Sequence, residues 1–253
     1  MKLKLLDLLK DLVYPEKPVC LACGRRFDHS EIKGICDRCL TKFNFITQSC
    51  PVCGREVIPP NLLEDHPCPE CQEERPPFNF AKSVFTYSGY ARDILLEFKY
   101  GDRPDLSDPF GQMLHLYYRE YFLDRDIDYI IPVPMHAERE NYRGYNQSAR
   151  LAKNLAKRIG VPYRDVLLRI KNSLPLYTLT KRARKLELEG AFKVKENFSA
   201  DIFEENNILV IDDIMTTGTT ASEISHFLFE DLSAKNVYVM TLASVPVQAD
   251  QIR

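Results

Sequence analysis

Residues 208–220 combine an aliphatic run, two carboxylates and a threonine-rich loop, features that together could bind a phosphorylated sugar. The run from Ile208 to Ile211 predicts a buried strand, and Asp212 and Asp213 follow it directly. Carboxylates at a strand end can accept hydrogen bonds from the vicinal hydroxyls of a ribose. A Mg²⁺ site and a plain turn are the alternative interpretations of the two aspartates.

The loop that follows the aspartates is suited to a phosphate group. Thr216, Thr217, Gly218, Thr219 and Thr220 present consecutive backbone N–H groups and four hydroxyls, and a helix is predicted to begin at Thr220. A phosphate monoester is stabilised there, because a helix N-terminus carries partial positive charge. Loops of Thr and Gly are common, but strand, carboxylates and loop in this order are far more specific.

The eight cysteines form a second group with a defined chemistry. They fall into four Cys-x-x-Cys pairs, which are Cys20/Cys23, Cys36/Cys39, Cys50/Cys53 and Cys68/Cys71. Two such pairs supply the four thiolates that a structural zinc ion prefers, whereas ordinary buried or disulfide-bonded cysteines would not repeat one spacing. We therefore predict two structural zinc sites. Pairing in sequence order would give two stacked ribbons, and a cross-brace is the alternative.

The cysteine-rich segment is predicted to be structural rather than catalytic. Four protein thiolates leave no open position on zinc for water or substrate. Residues 1–80 carry 11 Lys/Arg and 12 Asp/Glu, whereas nucleic-acid contact usually needs a basic face. A structural or docking role is therefore favoured over contact with nucleic acid.

The length and composition allow one substantial domain beside this small module. The chain has 253 residues, a formal charge of -2 and 45% hydrophobic residues, and it contains no apolar stretch long enough for a membrane span. The leucine-rich N-terminus is interrupted by charges, so we predict an amphipathic helix rather than a signal peptide. A cytoplasmic location follows, in which cysteines bind metal more often than they form disulfides. The apolar face of this helix would contain Leu5, Leu8, Leu9 and Leu12.

The elements that must position the site alternate between strands and helices. Strands are predicted at 83–87, 129–134, 208–211 and 237–242, and helices at 90–100, 110–122, 146–159 and 220–232. This alternation predicts an α/β fold with a mostly parallel sheet and with ligands at the carboxyl ends of the strands. Charge and paired prolines at 73–78 mark a linker, which divides the chain into a zinc-ribbon module at 1–75 and a larger domain at 80–253.

Charge is divided sharply along the larger domain. Residues 134–195 hold 15 Lys/Arg and 5 Asp/Glu, whereas residues 196–253 hold 2 and 10. A solvated helix face with a loop is one interpretation of the basic segment, and recognition of polyphosphate or nucleic acid is the other. Its loop regions contain Arg139, Arg143, Lys181, Arg182, Arg184 and Lys185, and its tyrosines Tyr142, Tyr145 and Tyr177 could stack on bases or pack ordinarily.

Several motifs resemble the ComF family, the phosphoribosyltransferase-like proteins associated with bacterial DNA competence. The resemblance covers nearly the whole chain, from the leucine-rich start to the threonine loop. The motifs that carry it are Cys20-Leu21-Ala22-Cys23-Gly24, Phe98-Lys99-Tyr100-Gly101-Asp102, Pro132-Val133-Pro134 with Arg139, Arg143-Gly144-Tyr145-Asn146-Gln147, Gly190-Ala191-Phe192 and the 212–220 segment. The last segment is similar to the 5-phosphoribosyl-1-pyrophosphate (PRPP) fingerprint of type I phosphoribosyltransferases.

The resemblance implies the type I phosphoribosyltransferase fold, with PRPP and Mg²⁺ bound across the strand ends. It implies that Thr216, Thr217, Gly218, Thr219 and Thr220 hold the 5-phosphate and that Asp212 and Asp213 hold the ribose. Arg139, Arg143, Lys99, Arg182 and Arg184 would face pyrophosphate. The catalytic candidates are Asp212, Asp213 and Lys99, and no general base is identified.

The resemblance leaves three functions open. These are phosphoribosyl transfer to an unidentified acceptor, handling of single-stranded DNA with other competence proteins, and PRPP-responsive regulation without catalysis. The family's Thr-x-x-Gln element and a following Asn are replaced here, so we expect the basic loop to close differently or to serve a different acceptor. The replaced positions are Ser173, Leu176 and Glu187.

Overall fold

A computed structural model describes residues 17–58, 66–171 and 190–248, with only the backbone of Ala200. The strands are β1 Val57–Ile58, β2 Phe80–Thr86, β3 Tyr129–Pro132, β4 Leu167–Arg169, β5 Phe192–Val194, β6 Asn207–Met215, β7 Asn236–Ser244 and β8 Val247–Gln248. The α-helices are α1 Asp37–Leu40, α2 Pro69–Glu73, α3 Gly89–Tyr100, α4 Ser107–Tyr121, α5 Ala137–Arg143, α6 Gln147–Ile159 and α7 Thr219–His226.

The central sheet is parallel and has the strand order β2-β7-β6-β3. In its register Ile211 of β6 lies beside Pro132 on one side and Met240 on the other. Because all these strands run in one direction, their carboxyl ends meet at one edge. Two small sheets accompany it, a parallel pair of β1 with β8 and an antiparallel pair of β4 with β5.

Helices and cysteines cover both faces of the sheet. Consecutive residues of β6 alternate between two apolar cores, as a strand requires. Leu209 and Ile211 lie in the core formed with α3, α4 and α6, which also contains Cys20, Cys36 and Cys39. Ile208 and Val210 lie in the core formed with α7, which also contains Cys50, Cys53, Cys68 and Cys71. The first cysteine set therefore packs on one face and the second on the other.

The cysteine module also covers the outer edge of β2. The backbone N–H of Ala81 donates to Val52 O over 2.8 Å, and Ile46 N–H donates to Val84 O over 3.0 Å. A backbone edge that could pair with another chain is thereby satisfied within the molecule. The division at 75–80 stays a prediction, and within the described residues the module shares both cores of the sheet.

The central strand is longer than predicted. The apolar run 208–211 suggested a strand that ends before the aspartates, but β6 extends to Met215 and includes both. The reason is pairing with β7, since Asp212 lies beside Thr241 and Met215 beside Ser244. Tertiary hydrogen bonding therefore continues a ladder that local hydrophobicity would have ended.

Other boundaries also differ from the predicted ones. Strand β2 begins at Phe80 and α4 at Ser107, each three residues before the predicted start. The predicted helix 220–232 is split into α7 and a π-helical turn at Phe227–Asp231. Helix α5 and the β4–β5 pair were not predicted, because the segments that form them are short and polar or lack a clear period.

Some predicted features lie outside the described residues. They are the N-terminal helix with Leu5, Leu8, Leu9 and Leu12, together with Ser173, Leu176, Tyr177, Lys181, Arg182, Arg184, Lys185 and Glu187. Among the helices that the structure does describe, none has the length and apolar character that a bilayer crossing requires.

Candidate functional site

The threonine loop connects β6 to α7 and lines a small pocket. Gly218 has φ +76°, a left-handed conformation that L side chains rarely adopt, and it is the N-cap of α7. Its carbonyl accepts the N–H of Ser222 over 2.8 Å, and the hydroxyls of Thr217 and Thr219 lie 2.8 Å apart. The structure thus brings the predicted phosphate residues together. The pocket is lined by Asp212, Ile214, Met215, Thr216, Thr217, Gly218, Thr219, Thr220, Ala221 and Thr241.

The two aspartates have different partners. The Oδ1 of Asp212 accepts the Ser148 hydroxyl over 2.7 Å and the backbone N–H of Asp213 over 2.9 Å. The Oδ2 of Asp213 lies 3.0 Å from the Lys99 Nζ, and these side chains are only 10% and 15% exposed. The three catalytic candidates therefore form one cluster, in which Asp213 is buried, Asp212 and Lys99 are half-buried, and Lys99 balances one carboxylate.

The Asp212 carboxyl has a pKa well above that of an ordinary aspartate. The pKa of Asp212 is raised from 3.8 to about 7, first because burial disfavours the charged form and second because the Asp213 carboxylate is adjacent. The hydrogen bond from Ser148 and the charge of Lys99 act in the opposite direction. Without ligand, Asp212 is therefore about half protonated near neutral pH.

The motif at 143–148, at the start of α6, holds the cluster of Lys99, Asp212 and Asp213 in place through hydrogen bonds. Asn146 caps α6 by accepting the N–H of Ala149 over 3.3 Å, while its Nδ2 donates to Val133 O over 3.0 Å. Gln147 is fully buried, and its Nε2 donates to Lys99 O over 3.3 Å. No role was predicted for Asn146, Gln147 or Ser148. Asn146 was recognisable as the start of a helix, but Gln147 and Ser148 contact residues that lie far away in sequence.

The arginine predicted to bind pyrophosphate at the end of α5 lies beside α3. The guanidinium of Arg143 lies 4.7 Å above the Tyr100 ring, and its Nη2 donates to the Tyr100 hydroxyl over 2.8 Å. Its Nη1 donates to Gln147 Oε1 over 3.4 Å. Arg143 therefore shares Gln147 with Lys99, and Arg139 lies one turn earlier on the same helix.

The tyrosines considered for base stacking differ in exposure. Tyr145 is buried and donates its hydroxyl to Phe98 O, so its role is structural. Tyr142 is 83% exposed and can contact a partner.

The cysteines form two separate four-sulfur clusters in sequence order. One contains Cys20, Cys23, Cys36 and Cys39, the other contains Cys50, Cys53, Cys68 and Cys71, and the sulfur atoms of each lie within 4.8 Å of one another. A backbone N–H also donates to a sulfur in each cluster, from Cys36 to Cys20 over 3.3 Å and from Cys68 to Cys50 over 3.2 Å. This geometry fits two structural zinc ions and excludes the cross-brace.

Comparison with known proteins agrees with this architecture. The family model of the double zinc ribbon domain matches residues 9–72. The DNA utilization protein YhgH of Salmonella typhimurium is 26% identical over 208 residues, which are 79% of this chain and 86% of that protein. Competence protein ComFC of Bacillus subtilis is 27% identical over 243 residues, 89% of this chain and 95% of that protein. Competence protein F of Haemophilus influenzae is 25% identical over 228 residues, 88% and 96% of the two chains.

These relatives and the zinc-ribbon match confirm the predicted resemblance to the ComF family. The structure confirms the predicted α/β class, a parallel sheet flanked by helices, with a zinc-ribbon module at the N-terminus.

Two solved structures of phosphoribosyl enzymes match part of this chain. Glutamine PRPP amidotransferase from Bacillus subtilis has 18% identity and a TM-score of 0.39, over 58% of this chain and 30% of the enzyme. An adenine phosphoribosyltransferase has 22% identity and a TM-score of 0.35, over 55% and 72% of the two chains. This chain thus spans less than a third of the amidotransferase.

Proposed function

We propose that this ComF-family protein binds PRPP together with Mg²⁺ at the carboxyl end of β6 and takes part in bacterial DNA uptake. One observation carries the ligand proposal. Asp212 and Asp213 on the central parallel strand are followed by a loop that turns at Gly218 into α7, so the Asp212 carboxylate and a helix N-terminus border one pocket, with Asp213 next in sequence to Asp212. A ribose 5-phosphate needs hydrogen-bond acceptors for its ribose hydroxyls and hydrogen-bond donors for its phosphate.

In the proposed binding mode, the ligand spans the edge of the sheet. The 5-phosphate is held by the loop 216–220, and the ribose hydroxyls donate to Asp212 and Asp213. Lys99 and Arg143 face the pyrophosphate, with Arg139, Arg182 and Arg184 as further cations. Lys99 is suited to this role because it is already held within the cluster by Gln147 and Asp213.

Magnesium fits the chemistry of this edge. Mg²⁺ prefers oxygen ligands and keeps much of its coordination to phosphates and water, so a site with two carboxylates and a bound pyrophosphate suits it. When bound, the ion would neutralise the pyrophosphate leaving group. The protein's own cations would stabilise the same negative charge.

The first experiment tests the phosphate loop by changing only its backbone. A Cβ at Gly218 would meet no atom closer than the Met215 Sδ at 3.9 Å, so Gly218→Ala strains the φ of +76° without a clash. Calorimetry with Mg²⁺ and PRPP should show saturable binding by the wild type and binding at least about tenfold weaker by Gly218→Ala.

Gly160→Ala is the matched control for this experiment. Gly160 follows α6 and has φ +75°, and a Cβ added there would meet no atom within 4 Å, so the two substitutions carry the same backbone strain. Their losses of folding stability should match, at about 1 kcal/mol each, while only Gly218→Ala loses affinity. Equal PRPP affinity in both variants, or no PRPP binding by the wild type, contradicts the assignment.

Phosphoribosyl transfer to an acceptor is the proposed activity of the bound complex. Incubation of the protein and PRPP with a metabolite mixture should give a new ribosylated product by mass spectrometry, together with released pyrophosphate. Product and pyrophosphate would establish transfer. Binding without either of them would instead support a PRPP-responsive regulator.

Handling of single-stranded DNA in the cytoplasm is a second proposed function. The relatives are named for competence and DNA utilization, and the described part of the chain contains a basic helix face that favours contact with a polyanion. On α6 this face consists of the exposed residues Arg150, Lys153 and Lys157, and Arg158 lies beside them in an ion pair with Asp108. The exposed Tyr142 lies in the same basic segment and can stack on a base.

A further inference from the structure

The two cysteine clusters contain the same short sequence, Cys-Gly-Arg, in opposite environments. Arg25 is exposed, whereas Arg55 is only 5% exposed. Both glycines have positive φ, +70° at Gly24 and +66° at Gly54. A Cβ at Gly24 would meet nothing within 4 Å, but one at Gly54 would lie 2.3 Å from Ala81 O. The second loop is therefore docked tightly against β2, while the first faces solvent.

Arg55 links the second cluster to the carboxyl end of β7. Its Nη1 donates to Glu70 Oε2 over 2.9 Å, and Glu70 lies between the last two cysteines. Its Nε donates to Val245 O over 2.8 Å. In the first cluster the position equivalent to Glu70 is Arg38, a cation that cannot pair with Arg25. The same Cys-Gly-Arg sequence therefore makes a bridge in only one of the clusters.

The residue that Arg55 holds is bound in turn to the strand that leads into the threonine loop. Val245 follows β7, and its N–H donates to Met215 O over 2.9 Å. Met215 is the last residue of β6 and directly precedes Thr216. A groove of about 370 Å³ separates the second cluster from this loop, and its walls include Arg55 on one side and Gly218 on the other.

We propose that Arg55 is a positioning residue for the threonine loop. Its guanidinium fixes the Val245 carbonyl, the Val245 N–H fixes Met215, and the direction in which the chain enters the loop follows from these two bonds. Arg55 itself does not touch the ligand. The proposal rests on the proposed function of this loop in binding the 5-phosphate of PRPP, and it assigns no comparable role to Arg25.

The test compares Arg55→Met with Arg25→Met in the full, zinc-loaded chain. Arg55→Met should weaken PRPP binding with Mg²⁺ by about three- to thirtyfold in calorimetry, and Arg25→Met should leave it unchanged. Without any ligand, the amide resonance of Gly218 should shift in Arg55→Met and stay in place in Arg25→Met. Arg55→Lys keeps a cation beside Glu70 and should recover part of the affinity, and it carries the comparison if Arg55→Met does not fold.

The outcomes separate this proposal from the proposed function. A wild type that does not bind PRPP would overturn the proposed function, while the ligand-free Gly218 resonance still decides the role of Arg55. Unchanged affinity and an unchanged resonance in Arg55→Met would overturn the positioning role. So would equal changes in Arg25→Met, because the effect would then belong to both clusters.

Discussion

Replacing Asp212 by asparagine should stabilise the protein, and by more as the pH rises. The pKa of the Asp212 carboxyl is raised from 3.8 to about 7 by burial and by the Asp213 charge. The folded state therefore binds a proton that the unfolded state releases between those two values. Because the folded state binds more protons in this interval, the free energy of unfolding falls as the pH rises through it. Asparagine does not titrate and carries no such penalty.

The size of the effect follows from the shift. Each pKa unit corresponds to about 1.4 kcal/mol, so ionising Asp212 costs the folded state about 4 kcal/mol at high pH. Between about pH 5.5 and about pH 8, the stability advantage of Asp212→Asn over the wild type should grow by about 2 kcal/mol. Asparagine can keep the hydrogen bonds from Ser148 and from the Asp213 N–H, so little else changes.

Urea unfolding of both proteins at the two pH values measures this difference. Protonation of the zinc-binding cysteines is common to both proteins and cancels in the comparison. Asp213→Asn is the control, because it leaves the buried Lys99 cation without its partner and should destabilise by about 3–5 kcal/mol. A stability difference between Asp212→Asn and the wild type that does not change with pH would refute the reasoning.

Two further predictions concern the proposed DNA surface and the two cysteine clusters. The double variant Lys153→Glu/Lys157→Glu should weaken binding to single-stranded oligonucleotides and reduce the steepness with which log K falls with log salt. The same change at Lys17 and Lys195, which already pair with aspartates, should leave both quantities unchanged. An unchanged salt slope in the Lys153/Lys157 variant, measured by fluorescence anisotropy, would argue against this DNA surface. When a chelating dye is added, zinc should leave in two phases, from the first cluster before the second. The reason is that Cys23 of the first cluster is exposed, whereas all four cysteines of the second are buried. Release in a single phase would contradict this order.

The parts of the site that lie close together in sequence were predictable from it. The order of strand, aspartates, threonines and glycine is local, and each residue type has a conformational or chemical reason for its place. The four cysteine spacings were equally informative, although the pairing in sequence order needed the structure. Helix α5 was missed because its seven residues bury no side chain that would create a period.

Contacts between distant segments were not predictable in the same way. The pairing of Lys99 with Asp213 and of Ser148 with Asp212 depends on how α3 and α6 pack on the sheet. The same is true of Arg55, whose sequence surroundings resemble those of the exposed Arg25. Local sequence predicts the residue types in the threonine loop, and packing determines which charged side chains lie beside it.

In the proposed binding mode, Lys99 faces the pyrophosphate and Asp213 faces the ribose, so this ion pair lies between two parts of the ligand. Before PRPP binds, the Lys99 ammonium balances Asp213 in a site where a lone charge would be unfavourable. In the proposed binding mode, an incoming pyrophosphate would compete for Lys99, and Asp213 would then be free to accept the ribose hydroxyls. Without pyrophosphate, Lys99 pairs with Asp213, and its charge lowers the pKa of Asp212. A lysine that can pair with either Asp213 or pyrophosphate would keep the charges of the proposed site balanced with and without ligand, which two carboxylates alone could not do.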